Sequence, residues 1–187
     1  DLVHKQTELN KTIMFKNAVK ESEDDTFKDD SDAKLTSLNE ICDELNANKK
    51  VFLFYPYKRD MGELVSVIEQ RTGKKVIYYN ADVGDKTKET LKDVNKHWEN
   101  YDCVVTNTCI TCGVNFDLKS FDTVWLFIAG FVKPREAIQV SARVRHLNSN
   151  TINVVFLGTL KNQTCYIDDT CAMDSPIYSQ LYKNYLV

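Results

Sequence analysis

The sequence predicts an α/β fold built on a parallel, doubly wound sheet. Two observations carry that expectation. Five apolar runs of strand length recur along the chain, several of them apolar throughout, as strands covered on both faces are. Stretches of helical periodicity separate them, and strands that alternate with helices join into a parallel sheet through right-handed crossovers.

Asp1 to Ala33 is a polar arm or linker whose acidic clusters cannot bury enough apolar surface to fold alone. It holds five lysines and nine acids, a charge of -4, which leaves the rest of the chain at +1. Within it, Thr12 to Val19 is apolar enough to dock as a short strand or helix. The chain starts inside this arm without Met, and a piece cut from a longer protein is expected. From Lys34, Leu35, Leu38, Ile41, Cys42 and Leu45 follow helical spacing to about Asn48. VFLFYPY (Val51 to Tyr57) is the first strand, and a helix from Asp60 to about Arg71 ends at Thr72-Gly73. KVIYYN (Lys75 to Asn80) is the second strand, Lys86 to Trp98 a helix, and DCVVTN (Asp102 to Asn107) the third strand. Phe121 to Ala129 is the fourth, a helix covers Pro134 to Leu147, and Thr151 to Thr159 is the fifth. The main domain is expected over 34–160, followed by an extension over 161–187 in which Pro176 to Val187 suits a terminal helix.

Composition narrows the function. A 187-residue chain with 43% hydrophobic and 27% charged residues is long enough for a substantial core. No apolar run reaches the roughly 20 residues a membrane span needs, and the charged N-terminus is no signal peptide, so an intracellular protein is expected. A net charge of -3 argues against coating nucleic acid by charge alone, so any such contact must be local. Six cysteines (Cys42, Cys103, Cys109, Cys112, Cys165, Cys171) read as free thiols. Cys109 and Cys112 have C-x-x-C spacing, but Cys165 and Cys171 are spaced too widely to complete a usual zinc site, and no histidine lies near either pair. No zinc is expected. His4, His97 and His146 form no cluster.

Ligands collect beyond the carboxyl ends of strands in such sheets, which singles out the segments after Tyr57, Asn80, Asn107 and Ala129. In Thr106 to Asp117 (TNTCITCGVNFD), hydroxyls and backbone amides can meet a phosphate, Gly113 permits close backbone approach, and Asp117 can accept a ribose hydroxyl or brace an arginine. Taken singly, that glycine is a turn and that aspartate a cap. In the helix expected over PREAIQVSARVRHL, Gln139 and Arg143 share a face, while Arg145 points elsewhere. Such arginines can meet phosphate oxygens, although a surface helix with solvated arginines is the plain alternative.

In this order and at these distances, VFLFYPY, VIYYNAD, VVTNTCITCGVNFD and QVSARVR resemble motifs IV, V and VI of a superfamily-two helicase. The likeness covers about Lys50 to Gly158, the second RecA-like lobe of such enzymes. Gly113 to Asp117, Val132-Lys133-Pro134 and the spacing of Arg143 and Arg145 after Gln139 most resemble the herpesvirus-type origin-binding protein helicases of large DNA viruses.

The resemblance implies that Gln139, Arg143 and Arg145 close on ATP, one arginine reaching the γ-phosphate. It implies that Gly113 and Asp117 lie near the ribose, and that Asn107, Thr108, Tyr55, Tyr57 and Lys58 contact a nucleic-acid strand, DNA before RNA. Ala142 stands where the common pattern has Gly, and Arg145 follows Arg143 by two residues rather than three, so either arginine can be the finger. Asn107 stands at the usual threonine of motif V. Nothing matches G-x-x-x-x-G-K-[ST] or a D-E-x-x box, so the phosphate cradle and Mg2+ site are expected in a first lobe, in cis, and this lobe alone should not hydrolyse ATP. The implied function is the C-terminal lobe of an ATP-dependent helicase of viral DNA replication, in host nucleus or cytoplasm. A noncatalytic RecA-like docking or nucleic-acid-binding module is the alternative. An unrelated doubly wound enzyme such as a methyltransferase would need a glycine-rich turn after the first strand, where Tyr55-Pro56-Tyr57-Lys58 stands.

Overall fold

The computed structural model describes residues 12–16, 30–110 and 114–157. In chain order these form β1 (Thr12–Phe15), α1 (Asp30–Asn46), β2 (Val51–Phe54), α2 (Met61–Thr72), β3 (Val76–Tyr79), α3 (Asp85–Glu89), α4 (Val94–Trp98), β4 (Cys103–Thr106), β5 (Thr123–Ala129), α5 (Pro134–Ser141) and β6 (Thr151–Leu157). The sheet has six strands in the order β1-β6-β5-β2-β4-β3, every pair parallel. It is the parallel α/β architecture that the alternating pattern predicts.

Alternation along the strands builds two cores. Phe52, Phe54, Val104, Val124, Leu126, Ile152 and Val154 point to one face, where Trp98, Phe116, Phe121, Val140 and Val144 cover them. Val51, Leu53, Tyr55, Cys103, Val105, Trp125, Phe127 and Val155 point to the other, against Leu38, Ile41 and Leu45 of α1 and Met61, Leu64, Val65 and Ile68 of α2. Central strands β2 and β4 are buried at every position, whereas edge strand β3 alternates. Carboxylates fasten the strands' N-terminal ends: Asp122 accepts from the Lys50 amide and Asp102 from the Lys75 amide. Glu44 of α1 reaches the sheet, accepting from Thr123 Oγ1 and Trp125 Nε1.

The segment from Thr12, expected to dock as a short strand or helix, supplies edge strand β1: it pairs with β6, and Lys16 continues it with a bond to the Val154 carbonyl. Two elements depart from expectation. Helix α1 begins at Asp30 rather than Lys34. The helix expected over Lys86 to Trp98 is broken by a 3-10 turn at Thr90–Asp93, because Asp93 leaves helical geometry (φ -142, ψ 77) and its side chain accepts from the Lys96 amide to start α4. Thr90 joins a buried chain at the break, in which Trp98 donates to Tyr79 Oη at 2.9 Å and Tyr79 lies 2.6 Å from Thr90 Oγ1. Gly73 caps α2 in the left-handed region (φ 65), as its position predicts. The terminal helix expected over Pro176 to Val187 lies outside the described residues. No helix among the described residues is long and apolar enough to cross a membrane.

Candidate functional site

Helix α5 starts where Pro134 cannot donate and needs no partner, with the Lys133 amide bonded to the Glu136 carboxylate at 3.2 Å. Ala137 and Val140 turn inward, and Gln139 is half-buried. The helix ends at Ser141, not at Leu147. Its end has a competing partner. Phe116 donates its amide to the Arg143 carbonyl at 2.7 Å and accepts from the Arg145 amide at 3.2 Å, an isolated parallel bridge to Val144. Both bridged side chains are fully buried, and that burial favours the bridge over another helical turn.

Ending the helix changes where the arginines go. Arg143 and Arg145 flank the buried Val144, and both reach the same loop, 114–117. The expectation that Arg145 points away from Arg143 rests on helical geometry and does not hold here. Arg143 Nη1 donates to the Val114 carbonyl at 3.0 Å and lies 3.3 Å from Asn115 Oδ1. Arg145 Nη1 pairs with Asp117 Oδ1 at 3.2 Å. Turning the Asn115 amide over lets it donate to Val114 and accept from Arg145 Nη2 at 3.1 Å in place of Arg143 Nη1, so this side chain stands between the two guanidinium groups and can accept from one at a time. The Asp117 amide is held by Asn95 Oδ1 at 2.9 Å.

The bridged residues Phe116 and Val144 belong to the core on one face of the sheet. Phe116 stacks on Trp98 at 5.8 Å and meets Phe121 edge-on at 5.1 Å, and both rings contact Phe52 within β2. Of the expected nucleotide-side residues, Arg143, Arg145 and Asp117 come together, Gln139 sits on α5 just before them, and Gly113 lies outside the described residues. Asn115 was missed by sequence reasoning. Its signal is its place between Gly113 and Asp117, where an amide can serve both neighbours.

The expected nucleic-acid residues divide. Asn107 is buried and spends Oδ1 on the Cys109 amide at 2.9 Å, shaping the turn that leaves Thr108 exposed. That turn packs against α5. Tyr55 is fully buried, its ring edge-on to Phe127 at 5.8 Å, so it offers a strand no stacking face, contrary to expectation. It belongs to the strand's inward register. Tyr57 is exposed, and Lys58 is exposed beside it in an ion pair with Asp82 at 2.7 Å. Sequence reasoning missed two neighbours, Arg59 and Phe131, which line a shallow cavity of about 340 Å3 with Pro56, Tyr57, Lys58 and Asp60.

Of the cysteines, Cys42 and Cys103 are buried free thiols, and burial pushes both upward from the ordinary thiol value. Cys109 is a free thiol, whereas Cys112, Cys165 and Cys171 lie outside the described residues.

A family model described as origin of replication binding protein matches residues 5–179. A protein of Acanthamoeba polyphaga mimivirus named for replication-origin binding is 27% identical over 110 residues, covering 57% of this chain and 12% of its own length. The replication origin-binding protein of Gallid herpesvirus 2 is 24% identical over 103 residues, covering 55% of this chain and 11% of its own. Among solved structures, domain 2 of the DEAD-box helicase Mss116p, bound to an RNA duplex, superposes with a TM-score of 0.55 at 13% identity, covering 78% of this chain and 52% of that one. The fold is thus that of a superfamily-two helicase's second RecA-like lobe, and the chain spans about an eighth of the length of the viral relatives.

Proposed function

Because this chain belongs to the origin of replication binding protein family, we propose that it is the C-terminal lobe of an ATP-dependent helicase of viral DNA replication. In this reading it supplies motifs IV, V and VI to an ATP site shared with a first lobe in cis and holds one nucleic-acid strand, DNA before RNA. The lobe proper spans about 34–160, with the acidic arm threading β1 into its sheet and residues 161–187 as an extension.

One observation carries the proposal. Arg143 and Arg145 emerge side by side at the Phe116–Val144 bridge, held by the Val114 carbonyl, Asn115 and Asp117. Two permanently charged forks on one side, Arg143 partly buried and Arg145 exposed, fit a triphosphate, whose oxygens accept from guanidinium groups in pairs. Their backbone is pinned by the bridge, so little ordering remains to be done when phosphate arrives. Mg2+ bound in the first lobe would share the phosphate charge. The arginines would answer charge that develops at the γ-phosphate, and Asp117 would orient Arg145 or receive a ribose hydroxyl.

The test uses the full-length protein. Arg143→Ala and Arg145→Ala should each lower nucleic-acid-stimulated ATP turnover by about 10³-fold or more while nucleotide binding stays within a few-fold. Turnover unchanged in both variants would reject the assignment. The 187 residues alone should show no ATP hydrolysis, because they contain neither the phosphate-cradle motif nor the D-E-x-x box.

A further inference from the structure

We infer that Tyr57 and Phe131 form a stacking platform for an unpaired base of a nucleic-acid strand, with Arg59 and Lys58 placed for the adjoining phosphates. The inference deepens the helicase reading and rests on it.

Four aromatic rings run outward from the core. Phe127 meets Tyr55 at 5.8 Å, Tyr55 meets Tyr57 at 5.8 Å and Tyr57 meets Phe131 at 5.6 Å, each pair edge to face. The inner two rings are fully buried or nearly so, Tyr57 is 37% exposed and Phe131 62%. A phenylalanine so exposed forfeits burial, yet it is held in place by contact with a ring that is itself anchored through Tyr55 to the core. An ordered aromatic face open to solvent is the costly part of a base-stacking site, since little side-chain freedom is left to lose on binding.

The surroundings select the occupant. Arg59 is exposed and in no ion pair among the described residues, Lys58 has one exposed partner, and Lys133 follows Phe131 by two residues. Lys58, Arg59 and Lys133 outnumber the acids Asp60 and Asp82 beside this apolar face, which suits a ligand with flat apolar rings and a polyanionic backbone. A paired duplex hides its base faces, so the strand must be single at this point. The platform also lies where β2 and β5 end, neighbours in the sheet, so one strand crossing the carboxyl edge meets both rings.

The experiment compares binding of two fluorescent strands of equal length, an oligothymidylate and its abasic counterpart, to the full-length protein. Phe131→Ala should weaken oligothymidylate binding about tenfold and leave the abasic strand unaffected, while Phe131→Trp keeps oligothymidylate affinity. Arg59→Gln should weaken both strands alike. Unchanged oligothymidylate binding in Phe131→Ala, or equal weakening on both strands, would overturn the platform while leaving the arginine results untouched. If the unmodified protein held neither strand, the helicase-lobe reading would fall with it.

Discussion

Arg143 and Arg145 owe their joint position to the residue between them. Val144 and Phe116 bury their side chains in one core, whereas the Arg145–Asp117 pair leaves about half of each side chain in water. The energetics should split accordingly. Phe116→Ala should cost about 3–5 kcal/mol in denaturant titrations, because it opens a cavity beneath Trp98 and Phe121. Asp117→Ala should cost about 0–1 kcal/mol, since exposed ion pairs are screened. A large loss in Asp117→Ala would mean the carboxylate holds the loop rather than steering a guanidinium. Cys103 makes a second prediction. Burial first, then the proximity of Cys42 and Asp102, pushes its thiol well above the ordinary value of 9.0. Above about pH 9 the unfolded chain releases that proton and the native chain keeps it, so this contribution to stability is intact below the ordinary thiol value and falls as pH rises. Cys103→Ala should therefore lose less stability than the parent between about pH 9 and 11, measured by urea midpoints. At this scale the sequence singles out Arg143, Arg145 and Asp117 by chemistry and spacing, and the structure brings them together. It misplaces Tyr55 as a strand contact because a tyrosine at a strand's end reads alike whether its register turns it inward or outward.

At the scale of elements, the strands were legible because their periodicity is local, whereas two helix ends were not. The chain continues in helical spacing past Ser141, and only a partner from residue 116, distant in sequence, draws the backbone of Arg143 and Arg145 out of the helix. The break before α4 had a local signal, Asp93 three residues ahead of Lys96, which helical spacing on both sides concealed. Asp93→Ala should remove that cap and cost about 1 kcal/mol, read from thermal or denaturant unfolding. A neutral result would show that the Trp98–Tyr79–Thr90 hydrogen bonds, rather than the cap, set the break. The edge strand β1 was legible only as an apolar segment free to dock as strand or helix. It is four residues long inside an acidic arm, and its side chains Ile13 and Met14 stay exposed, so main-chain pairing with β6 decides between the two.

For the whole molecule, the sheet separates two charge problems. The arginine pair flanks Val144, which belongs to the Phe116 and Trp98 core on one face, while Tyr57, Lys58, Arg59 and Phe131 stand at the carboxyl edge. Under the proposed function, a triphosphate and a nucleic-acid strand would be held at once, each by few cations, in a chain whose net charge is -3. That scarcity has a measurable consequence. Each phosphate neutralised on a single strand steepens the salt dependence of binding by about 0.7 in log-log slope. Replacing Lys58, Arg59 and Lys133 together by Gln in the full-length protein should therefore flatten the slope by about 2, whereas Phe131→Ala should lower affinity at every salt concentration without changing it. Anisotropy titrations from low to moderate salt measure both. If the triple variant kept its full slope, the strand would be held by cations elsewhere, and the edge of β2 and β5 would not be its path.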